Sequence, residues 1–169
     1  MGVSNSIGKK DGKESNIGGE QGMMSGTFVV PKSVIRKLKE LFCDYYFVYF
    51  EETDLSWRIR SNGYKIIYVP KSVTYHKGSV SIKAKNKVSI QDMLTIRNKY
   101  LTFFRNLPTH EFALVLPLMF FYDIARIGKH FARGNPMLLV NFVLGFARFL
   151  SSVNEVRKPR MGRLSELKW

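Results

Sequence analysis

Apolar residues recur at helical spacing in SVIRKLKELF, where Val34, Ile35, Leu38 and Leu41 share one face behind Pro31, a residue suited to opening a helix. Just before it, the β-branched stretch at 27–30 predicts a short strand, and the aromatic run YYFVYF at 45–50 predicts a second extended, buried segment. Acidic residues follow at the first turn of a helix that runs to about Asn62. Gly63 is placed to end it in the left-handed conformation, and YKIIYVP then reads as a strand closed by Pro70. Strand, helix, strand, helix, strand is the order of an α/β layer.

From Ser89 the period changes. SIQDMLTIRNKYLTFFRN puts Ile90, Met93, Leu94, Leu101 and Phe104 on one helical stripe, with Arg97 inside it. Beyond Pro108 come two strongly apolar runs, FALVLPLMFFY and PMLLVNFVLGFARFL, each shorter than the roughly 18 continuous apolar residues of a spanning helix. They predict interfacial helices or a tight re-entrant pair, and the basic tail ends in Trp169, a residue suited to a membrane boundary. Residues 1–22 are rich in Gly, Ser, Lys and Asn and have little to bury, which predicts a flexible lead-in. The chain therefore divides into 1–22, a packed unit at 23–107, and apolar, basic helices at 108–169.

Composition narrows the function classes. A length of 169 residues suits one domain with an appendage, and a hydrophobic share of 45% excludes a wholly disordered chain. A net charge of +14 directs the surface toward anions: an acidic membrane, a phosphorylated substrate or nucleic acid. Nucleic acid ranks last, because the basic residues are spread among apolar helices and no recognition motif is present. The single Cys43 has no disulfide partner and reads as a buried thiol of a reducing compartment.

Candidate chemistry gathers in YFEETDLSWRIR. Glu51 and Glu52 satisfy the helix dipole, and Asp54 with Arg58 has the spacing of a solvated ion pair. Against this, like charges crowded beside an apolar run raise at least one carboxyl pKa, the profile of a general base. His76, just past a strand, is either a hydrogen-bonded structural residue or a ligand in a hard, oxygen-rich site suited to Mg or Mn. Arg97 on an apolar stripe needs an anion, either Asp92 or Asp54 as a buried partner or a bound phosphate.

The ordered motifs SGTFVVPKSVI, YYFVYFEETDLSWRIRSNGYKIIYVPKSVTYHKG and RNKYLTFFRN resemble the C-terminal half of the catalytic domain of glycosyltransferase family 2, rhamnosyltransferase-like members especially. The resemblance covers about residues 22–107. It implies a partial GT-A (Rossmann-like) α/β fold and inverting transfer from a nucleotide-sugar donor to a saccharide or lipid-linked acceptor in surface polysaccharide synthesis. Carried over by position, Glu52 is the catalytic base, while Glu51, Asp54, Trp57, Ser25 and Gly26 line the acceptor side. Arg97 would contact the donor phosphate, and His76 would bind a divalent metal, Mg or Mn. The apolar remainder is similar to the tail that attaches members to the cytoplasmic face of the cell membrane.

The family's N-terminal half, with its nucleotide-binding strands and Asp-x-Asp motif, has no counterpart here, and no DxD string occurs. The expectation is an enzyme portion incomplete by itself (a fragment, a split-gene product or a remnant) that works with a separate donor-binding half. The alternative is a non-catalytic basic protein of the membrane surface.

Overall fold

The computed structural model describes residues 19–24, 26–69, 89–134 and 136–156. These form β1 (Gly19–Gln21), α1 (Lys32–Leu38), α2 (Glu51–Ser61), β2 (Ile66–Tyr68), α3 (Ile90–Asn106), α4 (Thr109–Phe131) and α5 (Met137–Ser152). The described residues are mostly helical. The one sheet among them is the antiparallel pair β1–β2, with Glu20 opposite Ile67, so the expected α/β layer does not form there.

Two of the expected strands are absent for a common reason. Neither 27–30 nor 45–50 has a neighbouring strand among the described residues to take up its backbone groups, so high β-propensity leaves each as an irregular segment. Conversely, β1 arises inside the stretch read as a flexible lead-in. It is anchored through Glu20, which pairs with Lys65 at 3.0 Å and with Arg60 at 3.3 Å.

Helix ends follow their local chemistry. Pro31 precedes α1, Ser89 caps α3 by accepting from Asp92 N at 3.2 Å, and Gly63 leaves α2 at φ 79°. Val34 and Leu38 of α1 pack with Leu55 and Ile59 of α2 and Ile66 of β2 in a small core. The larger core joins Cys43 and Tyr46 to Ile96, Tyr100 and Leu101 of α3, Phe112 and Met119 of α4, and Phe142 and Phe149 of α5.

The approach of α5 to α3 depends on Gly145. A Cβ at that position would sit 2.6 Å from the Met93 carbonyl oxygen and 3.0 Å from Ile96 Cβ. Asn141, buried in the same seam, accepts from Ser89 N at 3.1 Å and donates to Asp92 Oδ2 at 3.4 Å. Tyr100 of α3 meets the rings of Phe146 and Phe149 at 5.0 and 5.6 Å. Its hydroxyl donates to Asp123 Oδ2 of α4 at 2.7 Å, and Lys99 pairs with the same oxygen. No helix among the described residues is long and apolar enough to cross a membrane.

Candidate active site

The start of α2 is set by an unusual loop. Tyr49 and Phe50 both have left-handed backbones, φ 68° and 71°, a conformation that costs a bulky residue about 1–3 kcal/mol unless its surroundings impose it. The imposing groups come from α3. Fully buried Asn98 donates through Nδ2 to Val48 O at 2.7 Å and to Tyr49 O at 2.8 Å. Arg97 donates through Nε to Asn98 Oδ1 at 2.8 Å and through Nη2 to Tyr45 O.

This decides against one of the two alternatives for Arg97, the buried carboxylate pair. Arg97 pairs with neither Asp92 nor Asp54, and among the described residues no carboxylate forms an ion pair with it. Burial pulls its pKa down, and Arg148 adds to that effect. Arg97 therefore organises the loop while keeping a positive charge that no carboxylate neutralises.

Asp54 has the opposite fate. It is wholly buried, receiving Arg58 Nε on Oδ2 at 2.8 Å, and Arg105 Nε at 3.1 Å and Asn106 Nδ2 at 2.7 Å on Oδ1. The Tyr46 hydroxyl completes the cage at 3.4 Å. The solvated i,i+4 pair expected with Arg58 is thus an interior network, and Asp54 has no exposed surface to offer an acceptor, so its expected acceptor role gives way to a structural one. Arg58 also donates to Glu40 O and Leu41 O, and Arg105 reaches Glu40 and the buried thiol of Cys43. Burial pushes that thiol's pKa up, in agreement with an unreactive structural cysteine.

Glu51 and Glu52 stand on the partly exposed side of the same helix start. Burial, then the neighbouring Glu51 carboxylate, hold Glu52 above the ordinary carboxylate range. Glu51 Oε2 and Trp57 Nε1 are shielded from solvent without a hydrogen-bond partner among the described residues. The Trp57 ring packs edge-on against Phe103 at 5.6 Å, so it belongs to the aromatic core as well as to the site. Tyr49 was missed by the sequence reading. Burial, then the Asp92 and Glu51 carboxylates, keep its phenol protonated to higher pH than usual.

Ser56 ties the residue-24 segment to this helix. Its hydroxyl accepts from Met24 N at 2.8 Å and donates to Glu52 O at 2.6 Å, one turn back. Residue 26 follows two positions later, and Gly26 has φ 68° with open space where a Cβ would stand. Ser25 and His76 lie outside the described residues. Among the described residues no three His, Cys, Asp or Glu side chains are grouped to hold a metal ion, so these residues alone do not fit the expected Mg or Mn.

The arrangement offers a carboxylate with raised proton affinity, a protonated phenol that senses the adjacent Glu51, and, on the adjoining helix, a guanidinium without a carboxylate partner among the described residues. Comparison with protein-family models, curated proteins and solved structures gives no match to this chain.

Proposed function

We propose that this chain is the acceptor-side, base-bearing portion of an inverting glycosyltransferase, with Glu52 as the base. The observation that carries the reading is the raised proton affinity of Glu52, half-buried next to Glu51 on a helix start that α3 holds rigid. As the acceptor oxygen bonds to the anomeric carbon from the face opposite the leaving group, its proton passes to the Glu52 carboxylate. The bond from the anomeric carbon to the phosphate oxygen breaks, and a nucleoside diphosphate leaves with the bonding pair.

Tyr49 supplies a hydrogen-bond donor to the acceptor, and Glu51 an acceptor for a neighbouring sugar hydroxyl. The Arg97 charge favours the diphosphate as it leaves. The two short strands among the described residues form no nucleotide-binding sheet, so a donor-binding portion and any divalent metal would come from elsewhere. The sequence resemblance and the anion-seeking charge of +14 support the same reading.

The test replaces the native copy with Glu52→Gln in the cell that carries it and determines the sugar linkages of the surface saccharide. One linkage is expected to disappear, with the protein present at normal level. An unchanged linkage profile would overturn the proposal.

A further inference from the structure

Helices α4 and α5 each turn one stripe into the core and leave the opposite stripe bare. On α4 the buried positions are Phe112, Met119 and Asp123, while Leu114, Leu118 and Phe121 are 73, 69 and 72% exposed. On α5, Phe142, Gly145 and Phe149 face inward, and Val140, Val143 and Leu150 are 42, 56 and 55% exposed. Spacings of three, four and seven residues make each set one continuous helix face. The rings of Phe120 and Phe142, 5.5 Å apart, hold the two helices side by side. Bare apolar faces of this extent mark a docking surface.

Charge selects the occupant. Between residues 112 and 152 the only acidic residue is Asp123, and it is buried against Lys99 and Tyr100. The cations of the same stretch are Arg126, Lys129, Arg133 and Arg148, of which Lys129, Arg133 and Arg148 are exposed. Apart from Glu111 in the first turn of α4, the outward surface of the pair is therefore apolar with a cationic fringe. A second copy would bring identical positive charge against it, whereas an anionic bilayer matches both features.

Length and composition together decide the mode: the 23 residues of α4 would reach about 35 Å but carry Asp123, Arg126 and Lys129 in their second half, and α5 is too short. At about 1.5 Å per residue, the 16 residues of α5 reach only about 24 Å, short of the roughly 30 Å hydrocarbon core. No helix among the described residues qualifies as a span. We propose that α4 and α5 lie in the plane of an anionic phospholipid surface, with Leu114, Leu118 and Phe121 among the side chains that enter it and Lys129, Arg133 and Arg148 contacting phosphate headgroups. This inference does not depend on the sugar-transfer reading.

The test is flotation of the full chain with vesicles of equal parts phosphatidylglycerol and phosphatidylcholine, and with vesicles of phosphatidylcholine alone. Binding to the anionic vesicles is expected, weakening as salt rises. Phe121→Asn should lower partitioning on the order of tenfold. Lys129→Gln with Arg133→Gln should cost about fivefold per cation on anionic vesicles and little on neutral ones. These substitutions lie on exposed positions, and circular dichroism verifies that each variant is folded. Equal binding to both vesicle types, or wild-type binding by the folded variants, overturns the proposal. So does absence of vesicle binding together with a concentration-dependent dimer that Phe121→Asn dissociates, which would assign the face to a second copy.

Discussion

Asp54 of α2 and Arg105 of α3, 51 positions apart, meet Oδ1 to Nε at 3.1 Å in a site where both side chains are at most 1% exposed. Burial disfavours the guanidinium's charge more than any single neighbour favours it, but Asp54 together with Cys43, Tyr46 and Glu40 outweighs burial and holds the Arg105 pKa above its usual range. Together with Arg58, the pair joins α2 to α3. Glu51 and Glu52 are therefore presented from the same first turn in which Asp54 is locked into the core.

Asp54→Asn should destabilise the protein by about 3–5 kcal/mol, because two buried guanidinium groups lose their shared anion. Urea unfolding followed by circular dichroism measures this. A loss below about 1 kcal/mol would mean that the backbone acceptors of Arg58 carry the interaction instead.

Asn98→Ala should release the loop ahead of α2. Two partly buried carbonyls would lose their donor, and the left-handed pair Tyr49–Phe50 would lose what imposes it, at a total cost of about 2–4 kcal/mol. The specific signature is faster amide exchange at residues 48–52 than in α3. Uniform acceleration across the molecule would count against a local positioning role.

Gly145→Ala is the packing test. Helix propensity alone would favour alanine by about 1 kcal/mol, but the new methyl would meet backbone at 2.6 Å and force α5 away from α3. A net destabilisation of about 1–3 kcal/mol is expected from overpacking, with a lower melting temperature. A melting temperature equal to or above wild type would show that the helices separate without cost.

Much of this was readable in the sequence. Pro31, Ser89 and Gly63 mark the boundaries of α1, α3 and α2, because caps and left-handed exits are local chemistry. The crowding of Glu51 and Glu52 beside an aromatic run also announced a raised carboxyl pKa. What stayed hidden depends on long-range partners. YYFVYF has the composition of a strand, but its carbonyls are taken by Arg97 and Asn98, some 50 residues on. Asp54 looked like half of a solvated pair, since nothing local says that Arg105 and Asn106 will enclose it. One clue was available: α3 carries the dipeptide Arg-Asn at 97–98 and again at 105–106, about two turns apart. The first holds the loop and the second holds Asp54.

The pH dependence of Glu52 follows from the direction of its shift. A carboxyl with folded-state pKa above its unfolded value favours folding below the unfolded value and loses that contribution as pH rises through the folded one. Glu52→Gln should therefore melt higher than wild type at neutral pH and converge with it in acid. Calorimetry across that range reads the difference; a gap that widens toward acid would reverse the assigned direction.

The claim that Glu52 is a base poised by its surroundings is tested most directly by carbon-13 NMR titration of its side-chain carboxyl. The midpoint is expected above the ordinary glutamate value of 4.5, and it should fall, without returning fully to that value, in Glu51→Gln, since burial remains when the neighbouring charge is gone. A wild-type midpoint at or below 4.5 would contradict the account.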